Sequence, residues 1–158
     1  MPSSSNSGNK RGTGWVVAQF VLMGATVLSA LIPIHWPATA RVALLVVGLF
    51  IGVIGLAFAL WAARFLGAAF TPFPRPVPAG LVTSGPFAVV RHPVYLGLLG
   101  LFGGISLVAG PPALLLTLLL GILWAGKARL EERLLAEAYP EYPAYCRAVT
   151  KRLLPYLY

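Results

Sequence analysis

Aspartate is absent from this 158-residue chain, and only four glutamates offset twelve lysines and arginines. Charged residues make up 10% of the sequence against 58% hydrophobic ones, with a mean hydropathy of +0.83. That balance belongs to a membrane protein rather than a soluble domain. The single cysteine, Cys146, excludes an intramolecular disulfide and any multi-cysteine metal centre. No Gly-x-Gly-x-x-Gly follows a strand-like run, so a Rossmann-type nucleotide domain is unsupported. No internal repeat is visible.

The net charge of +8 raises the question of nucleic acid. These charges flank apolar stretches instead of forming a basic soluble face, so nucleic-acid binding is not expected. Attraction to anionic lipid headgroups accounts for them.

Four apolar stretches dominate the chain: Trp15 to Ile34, Val42 to Ala63, Val94 to Ala109 and Pro112 to Gly126. The first two are near the roughly 20 residues that span a bilayer. The last two are shorter and are separated by Gly110-Pro111-Pro112. Paired prolines stop a helix, so a tight helical hairpin is predicted there. The expected fold is an all-α integral membrane protein of about four transmembrane helices with a cytoplasmic C-terminal helical cap. Residues 1–14, rich in Ser, Gly and Asn, read as a disordered lead-in. Residues 15–63 read as a two-helix scaffold, and 64–158 as the region that binds and reacts, all within one domain.

Four spans place the N-terminus, the 64–93 loop and the tail on one side. That side carries eleven lysines and arginines, and the other carries only Arg41. The excess marks the cytoplasmic face, so both termini of a multi-pass cell-membrane protein are expected there. Lys10-Arg11, an apolar stretch and Ala38-Thr39-Ala40 resemble a signal peptide. The stretch is longer than a usual h-region of about 7–15 residues, and Pro37 sits inside the cleavage region, which favours a retained span.

From Thr71 to Pro93 the character changes. Six prolines at positions 72, 74, 76, 78, 86 and 93 forbid a continuous helix, and Gly80 and Gly85 offer turns. Irregular backbone near a membrane is tolerated where it is buried in protein or lines a wet cavity. This segment ends in Arg91 and His92, and ionisable residues at that depth are a functional-site hypothesis by default. The alternative is an extended connector held off the bilayer by proline. Pro93 suits the first turn of the third span, leaving Arg91 and His92 before a helix N-terminus that attracts anions. Tyr95 and Gly97 lie one turn in. Gly97, Gly100, Gly103 and Gly104 leave a low-bulk face, for packing against a helix or for a ligand. Gly48, Gly52 and Gly55 give the second span the same character.

All four acidic residues, Glu131, Glu132, Glu137 and Glu141, follow the last apolar stretch. The fourth span is expected to continue as a helix from Lys127 to Ala138. Glu132 with Arg129, and Arg133 with Glu137, have the spacing of surface ion pairs. Adjacent Glu131 and Glu132 point about 100° apart, so one of them can head into a pocket. In the aromatic, basic tail, residues 144–154 have the makings of a short amphipathic helix, lying on headgroups or over a pocket as a lid.

The run from Leu81 through Ser84-Gly85-Pro86-Phe87-Ala88-Val89-Val90-Arg91-His92-Pro93-Val94-Tyr95 to Gly97 resembles the signature of the isoprenylcysteine carboxyl methyltransferase and phospholipid methyltransferase superfamily. Glu131-Glu132-Arg133-Leu134-Leu135, then Tyr142, Tyr145, Val149, Arg152 and Pro155, is similar to its second block. The resemblance covers about residues 70–155. It implies an integral membrane methyltransferase that uses S-adenosylmethionine. Carried over residue by residue, it implies a cofactor site built from His92, Tyr95, Gly97, Glu131 and Glu132. Gly85 is a further candidate for that site, Arg91, orienting an anionic acceptor, and Glu132 are the catalytic candidates, and no metal is expected. Tyr139-Pro140 stands where Phe-Gly is common in the superfamily, a departure that bears on the tail.

The chemistry of these residues agrees with that implication. Arg91 and His92 suit the cofactor's carboxylate, Glu131 or Glu132 its ammonium, and Tyr95 its sulfonium. The expected partners are the bilayer and a lipid-like methyl acceptor. Two other classes stay open: an NADPH-dependent membrane reductase of related architecture, and a non-enzymatic small membrane protein.

Overall fold

In the computed structural model, residues 5–78 and 80–153 are described, and among them there are helices and turns but no strand. Helix α1 runs Ser5–Leu28 and tightens into a 3₁₀ turn over Ser29–Leu31. Helix α2 is Ala38–Leu66, followed by a 3₁₀ turn at Gly67–Ala69. An irregular stretch containing the turn Gly85–Ala88 leads to α3, Pro93–Ala109. Helix α4 is Pro111–Ala138, and the short α5 is Tyr142–Ala148. Residues 5–14 of the expected lead-in fall within α1 as assigned, and residues 1–4 lie outside the described residues.

Among the described residues, three helices are long and apolar enough to cross a membrane: Gly12–Leu31, Ala38–Ala69 and Pro111–Ala138. Helix α3 is apolar but has only 17 residues, about 25 Å at 1.5 Å per residue. Side chains such as Phe50, Val53, Leu118 and Ile122 face outward, as lipid-facing positions do.

The predicted hairpin forms at Gly110, whose φ of 131° is open to glycine and strained for other residues. A Cβ there would also stand 2.6 Å from the Ile34 carbonyl oxygen. Pro111 and Pro112 occupy the first turn of α4, where a missing N–H costs nothing. The helix therefore starts one residue earlier than the apolar run suggested, and it continues unbroken to Ala138.

Helices α2 and α3 make the most extensive contact in the molecule. Gly48, Gly52 and Gly55 face Gly104, Gly100 and Gly97 across it. A Cβ on Gly55 would come within 2.5 Å of the Leu101 nitrogen, and one on Gly97 within 2.5 Å of the Ala59 nitrogen. Only backbones stripped of side chains approach so closely. Helix α1 packs instead on α4, which packs on α3. Phe102, Leu120 and Trp124 form the core of that second contact, with Leu22 and Met23 of α1 against them. The polar atoms inside are paired. Ser106 Oγ and Thr117 Oγ1 share a 2.7 Å hydrogen bond between α3 and α4, and the Thr26 hydroxyl donates to the Leu22 carbonyl.

Candidate active site

The antiparallel hairpin carries the end of α4 back past the start of α3. Glu131 and Glu132 thereby come to His92, which caps α3, and to Arg91 before it. The two carboxylates diverge, as neighbours on a helix must.

Glu132 turns towards the tail. Its Oε1 accepts from Arg91 Nε at 2.8 Å and lies 3.3 Å from His92 Nε2, and its Oε2 accepts from Arg152 Nε at 2.8 Å. Arg91 also donates through Nη1 to the Val149 carbonyl at 3.0 Å. Backbone bonds reinforce the attachment, because Arg91 N–H donates to Lys151 O and His92 N–H to Arg152 O, both at 3.0 Å. The tail is thus fastened along the cassette before α3 by charge-assisted and main-chain hydrogen bonds together. Glu132 binds Arg91 and Arg152 of other segments.

Glu131 turns the other way, into a cavity of about 370 Å³. Tyr95 donates its hydroxyl to Glu131 Oε1 at 2.6 Å, and His92 Nδ1 lies 3.5 Å from Oε2. The rings of His92, Tyr95 and Trp124 form a ladder, with centroids 5.6 and 5.7 Å apart and planes within 7°. Phe102 meets Trp124 edge-on from the core side. The ladder fixes Tyr95, and Tyr95 fixes Glu131.

Two further basic side chains line the cavity, Arg75 and Lys127. Lys127, expected to emerge towards the cytoplasm, is wholly buried. Its Nζ donates to Gln19 Oε1 and to the Pro72 carbonyl, each at 2.6 Å, and stands 5.4 Å from the Tyr95 ring centroid. Gln19 lies in the first span, which from sequence looked like scaffold. The remaining walls are mostly apolar: Phe20 and Met23 of α1, Phe70 and Phe73 of the loop, and Leu98 of α3.

The loop and the tail close the cavity together. Tyr139 donates to the Val77 carbonyl at 2.6 Å, and Tyr145 donates to the Phe87 carbonyl at 2.7 Å. Burial pushes the phenol of Tyr142 well above its ordinary pKa, with the Glu132 carboxylate adding to the effect. Burial does the same for Tyr145. Both hydroxyls therefore stay protonated, able to donate. Helix α5 inserts these two rings instead of lying free on headgroups, and it is shorter than the expected 144–154; Leu154 and Pro155 lie outside the described residues.

Of the residues singled out in the sequence, Arg91, His92, Tyr95 and Glu131 line the cavity, and Glu132 sits directly behind them. Gly85 and Gly97 do not line it. Gly85 has a φ of 60° and lies under the Phe65 ring, and Gly97 is pressed against α2. Among the described residues, no group of three or more His, Cys, Asp or Glu side chains is placed to hold a metal ion.

The phospholipid methyltransferase family model matches residues 43–142, from α2 into the start of α5. The chain belongs to that family. This phospholipid methyltransferase-family protein is also 39% identical, over 69 residues, to the cobalt-zinc-cadmium resistance protein CzcN of Cupriavidus metallidurans. That similarity covers 42% of this chain and 32% of CzcN, so the chain spans about a third of that relative's length. The matched segment contains Arg91, His92, Tyr95, Lys127, Glu131 and Glu132, whereas Gln19 and Arg152 lie outside it.

Proposed function

We propose that the protein transfers a methyl group from S-adenosylmethionine to a lipid or lipid-like acceptor at the cytoplasmic face of the cell membrane. The observation that carries this reading is the position of Glu131. A carboxylate fixed by Tyr95 and His92 stands on the wall of a cavity whose other walls are largely apolar. Such a site offers a charged corner to a polar cofactor and an apolar flank to an amphiphile.

The residues present fit that cofactor chemically. When bound, S-adenosylmethionine supplies a methyl group activated by its sulfonium. Glu131 attracts the cofactor's ammonium, and the face of the Tyr95 ring favours a neighbouring cation. The His92 imidazole and the Arg91 guanidinium attract its carboxylate. Methyl transfer asks little acid–base chemistry of a protein, so alignment of acceptor and methyl carbon, with water kept out, is the main task. Exclusion of water falls to the tail, which Arg91, Glu132 and Arg152 hold shut. In this reading Glu132 is a positioning residue, and Gly85 and Gly97 act through backbone shape. The excess of basic residues at the cavity end supports a cytoplasmic orientation for that end and for both termini.

The test is incubation of the protein, in lipid nanodiscs, with methyl-tritiated S-adenosylmethionine and a lipid extract. Label should enter the organic phase with wild type and fall at least about tenfold with Glu131→Gln. Absence of label transfer from wild type across lipid classes contradicts the reading.

A further inference from the structure

Gln19 of α1 is 6% exposed, and its Oε1 accepts two hydrogen bonds from α4. One comes from Lys127 Nζ at 2.6 Å and the other from Trp124 Nε1 at 3.4 Å. Both partners can only donate, so the amide oxygen is fixed towards α4. Thr26 and Ser29, also buried in this span, bond back to carbonyls of their own segment, whereas Gln19 reaches across. Lys127 donates a second proton to the Pro72 carbonyl at 2.6 Å. The ammonium is thereby tied to α1 and to the loop. One turn further along α4 stands Glu131, of opposite charge and on the same face. The two charges attract one another. Even so, no ion pair joins them, and the ion pair of Glu131 is with His92.

We infer that Gln19 is a positioning residue, which holds Lys127 off Glu131 and so keeps that carboxylate open to the cavity. The inference rests on the reading of Glu131 as the anchor for the methyl donor's ammonium. Glu131 Oε1 already accepts from Tyr95, and Oε2 lies 3.5 Å from His92 Nδ1. A lysine ammonium added to those two neutralises the carboxylate and takes the lone pairs that a ligand's cation needs. Lys127 released from Gln19 has Glu131 within reach, because residues four apart face one another on a helix. A wholly buried ammonium that loses one acceptor gains most from a carboxylate, since little water is there to replace it. The same amide oxygen also steadies Trp124, which stacks on the Tyr95 ring that holds Glu131. The first span, outside the residues matched by the family model, thus takes part in the electrostatics of the site.

The test uses the full chain in neutral detergent as wild type, Gln19→Leu, Gln19→Glu, and Gln19→Leu combined with Lys127→Met, each confirmed as folded by thermal unfolding. Dicyclohexylcarbodiimide joins a carboxyl and an amine in contact as an amide, one water lighter, and peptide mass spectrometry reads the Lys127–Glu131 cross-link. Gln19→Leu should give at least about tenfold more of it than wild type. Gln19→Glu should cross-link Lys127 to position 19 instead. S-Adenosylhomocysteine, titrated by calorimetry, should bind Gln19→Leu at least about tenfold more weakly than wild type, and Gln19→Glu within about twofold. The double variant removes the competing ammonium and should recover wild-type affinity to within about threefold. A merely structural role for Gln19 produces no such recovery. Equal cross-linking in wild type and Gln19→Leu overturns the inference, and this comparison decides without the double variant. Affinity unchanged in Gln19→Leu, or not recovered in a folded double variant, overturns it as well. Absence of S-adenosylhomocysteine binding to wild type contradicts the methyl-donor reading instead, and the cross-link still judges whether Gln19 holds Lys127 off Glu131.

Discussion

Arg91 and Glu132 stand 41 positions apart in sequence and meet at 2.8 Å, Nε to Oε1, with Arg152 closing on the opposite oxygen of the same carboxylate. One side chain near the end of α4 thus joins the loop before α3 to the C-terminal tail. Removing one partner of such a pair leaves charge with little water to receive it, which is where the cost arises.

Glu132→Gln should therefore lower the stability of the protein by about 3 kcal/mol. Arg133→Gln, one residue on but exposed, should cost no more than about 0.5 kcal/mol. Thermal unfolding in detergent gives the comparison, and limited proteolysis should show the tail of Glu132→Gln cleaved first. Equal stability of the two variants contradicts a structural role for the Glu132 carboxylate.

The glycine contact between α2 and α3 makes a positional prediction. Gly55→Ala and Gly97→Ala each put a methyl group about 2.5 Å from a backbone atom of the facing helix. Each should destabilise by about 1–3 kcal/mol, since neither backbone can yield without parting the helices. Gly103→Ala meets nothing within 4 Å and should be neutral or slightly stabilising. A uniform response at the three positions, read by the same unfolding assay, counts against this packing.

Tyr95→Phe keeps the ring ladder and removes the 2.6 Å bond to Glu131. The freed carboxylate should weaken S-adenosylhomocysteine binding by about tenfold, the scale of one hydrogen bond to a charged group. Tyr95→Leu, which also breaks the ladder, should weaken it further. Calorimetry on both variants orders the two effects, and undiminished binding by Tyr95→Phe removes Tyr95 as the support of Glu131.

The docked tail should also respond to alkali. Burial raises the pKa of Tyr142 and of Tyr145 in the docked state. A phenol released from the fold titrates near its ordinary value of about 10. The folded value is the higher one, so the contribution of each tyrosine to docking is complete below pH about 10 and lost as the pH rises above it. At least two of the six tyrosines should ionise late in a tyrosinate absorbance titration, and Tyr142→Phe should remove one of them. Ionisation of all six around pH 10 contradicts the burial of these phenols.

Much of this architecture was legible in local patterns. Hydropathy located α1, α2 and the hairpin helices, Gly110-Pro111-Pro112 marked the turn, and the run from Gly85 to Gly97, with Glu131 and Glu132, contained residues that meet at the cavity. What stayed hidden depends on which helices are neighbours. Lys127 read as the first charge outside the membrane, because nothing near it in sequence shows that Gln19 of α1 and the Pro72 carbonyl meet it. Gln19, the polar side chain within an apolar span, was the available signal, since such residues face protein rather than lipid. The division of labour between Glu131 and Glu132 was equally hidden. Helix geometry required them to diverge, but the direction of each was set by the docking of α4 on α3 and of the tail on Arg91. Gly97 read either as a helix contact or as a position near a ligand, and it lies against α2, a distinction that pattern alone does not make.

The most direct test of the account is calorimetric titration of S-adenosylhomocysteine into the purified protein, with Glu131→Gln and Arg133→Gln alongside. Saturable binding by wild type and Arg133→Gln, weakened at least about tenfold in Glu131→Gln, is the predicted result. Absence of saturable binding to a folded wild-type sample, or binding that Glu131→Gln leaves unchanged, contradicts the assignment of this cavity as the methyl-donor site.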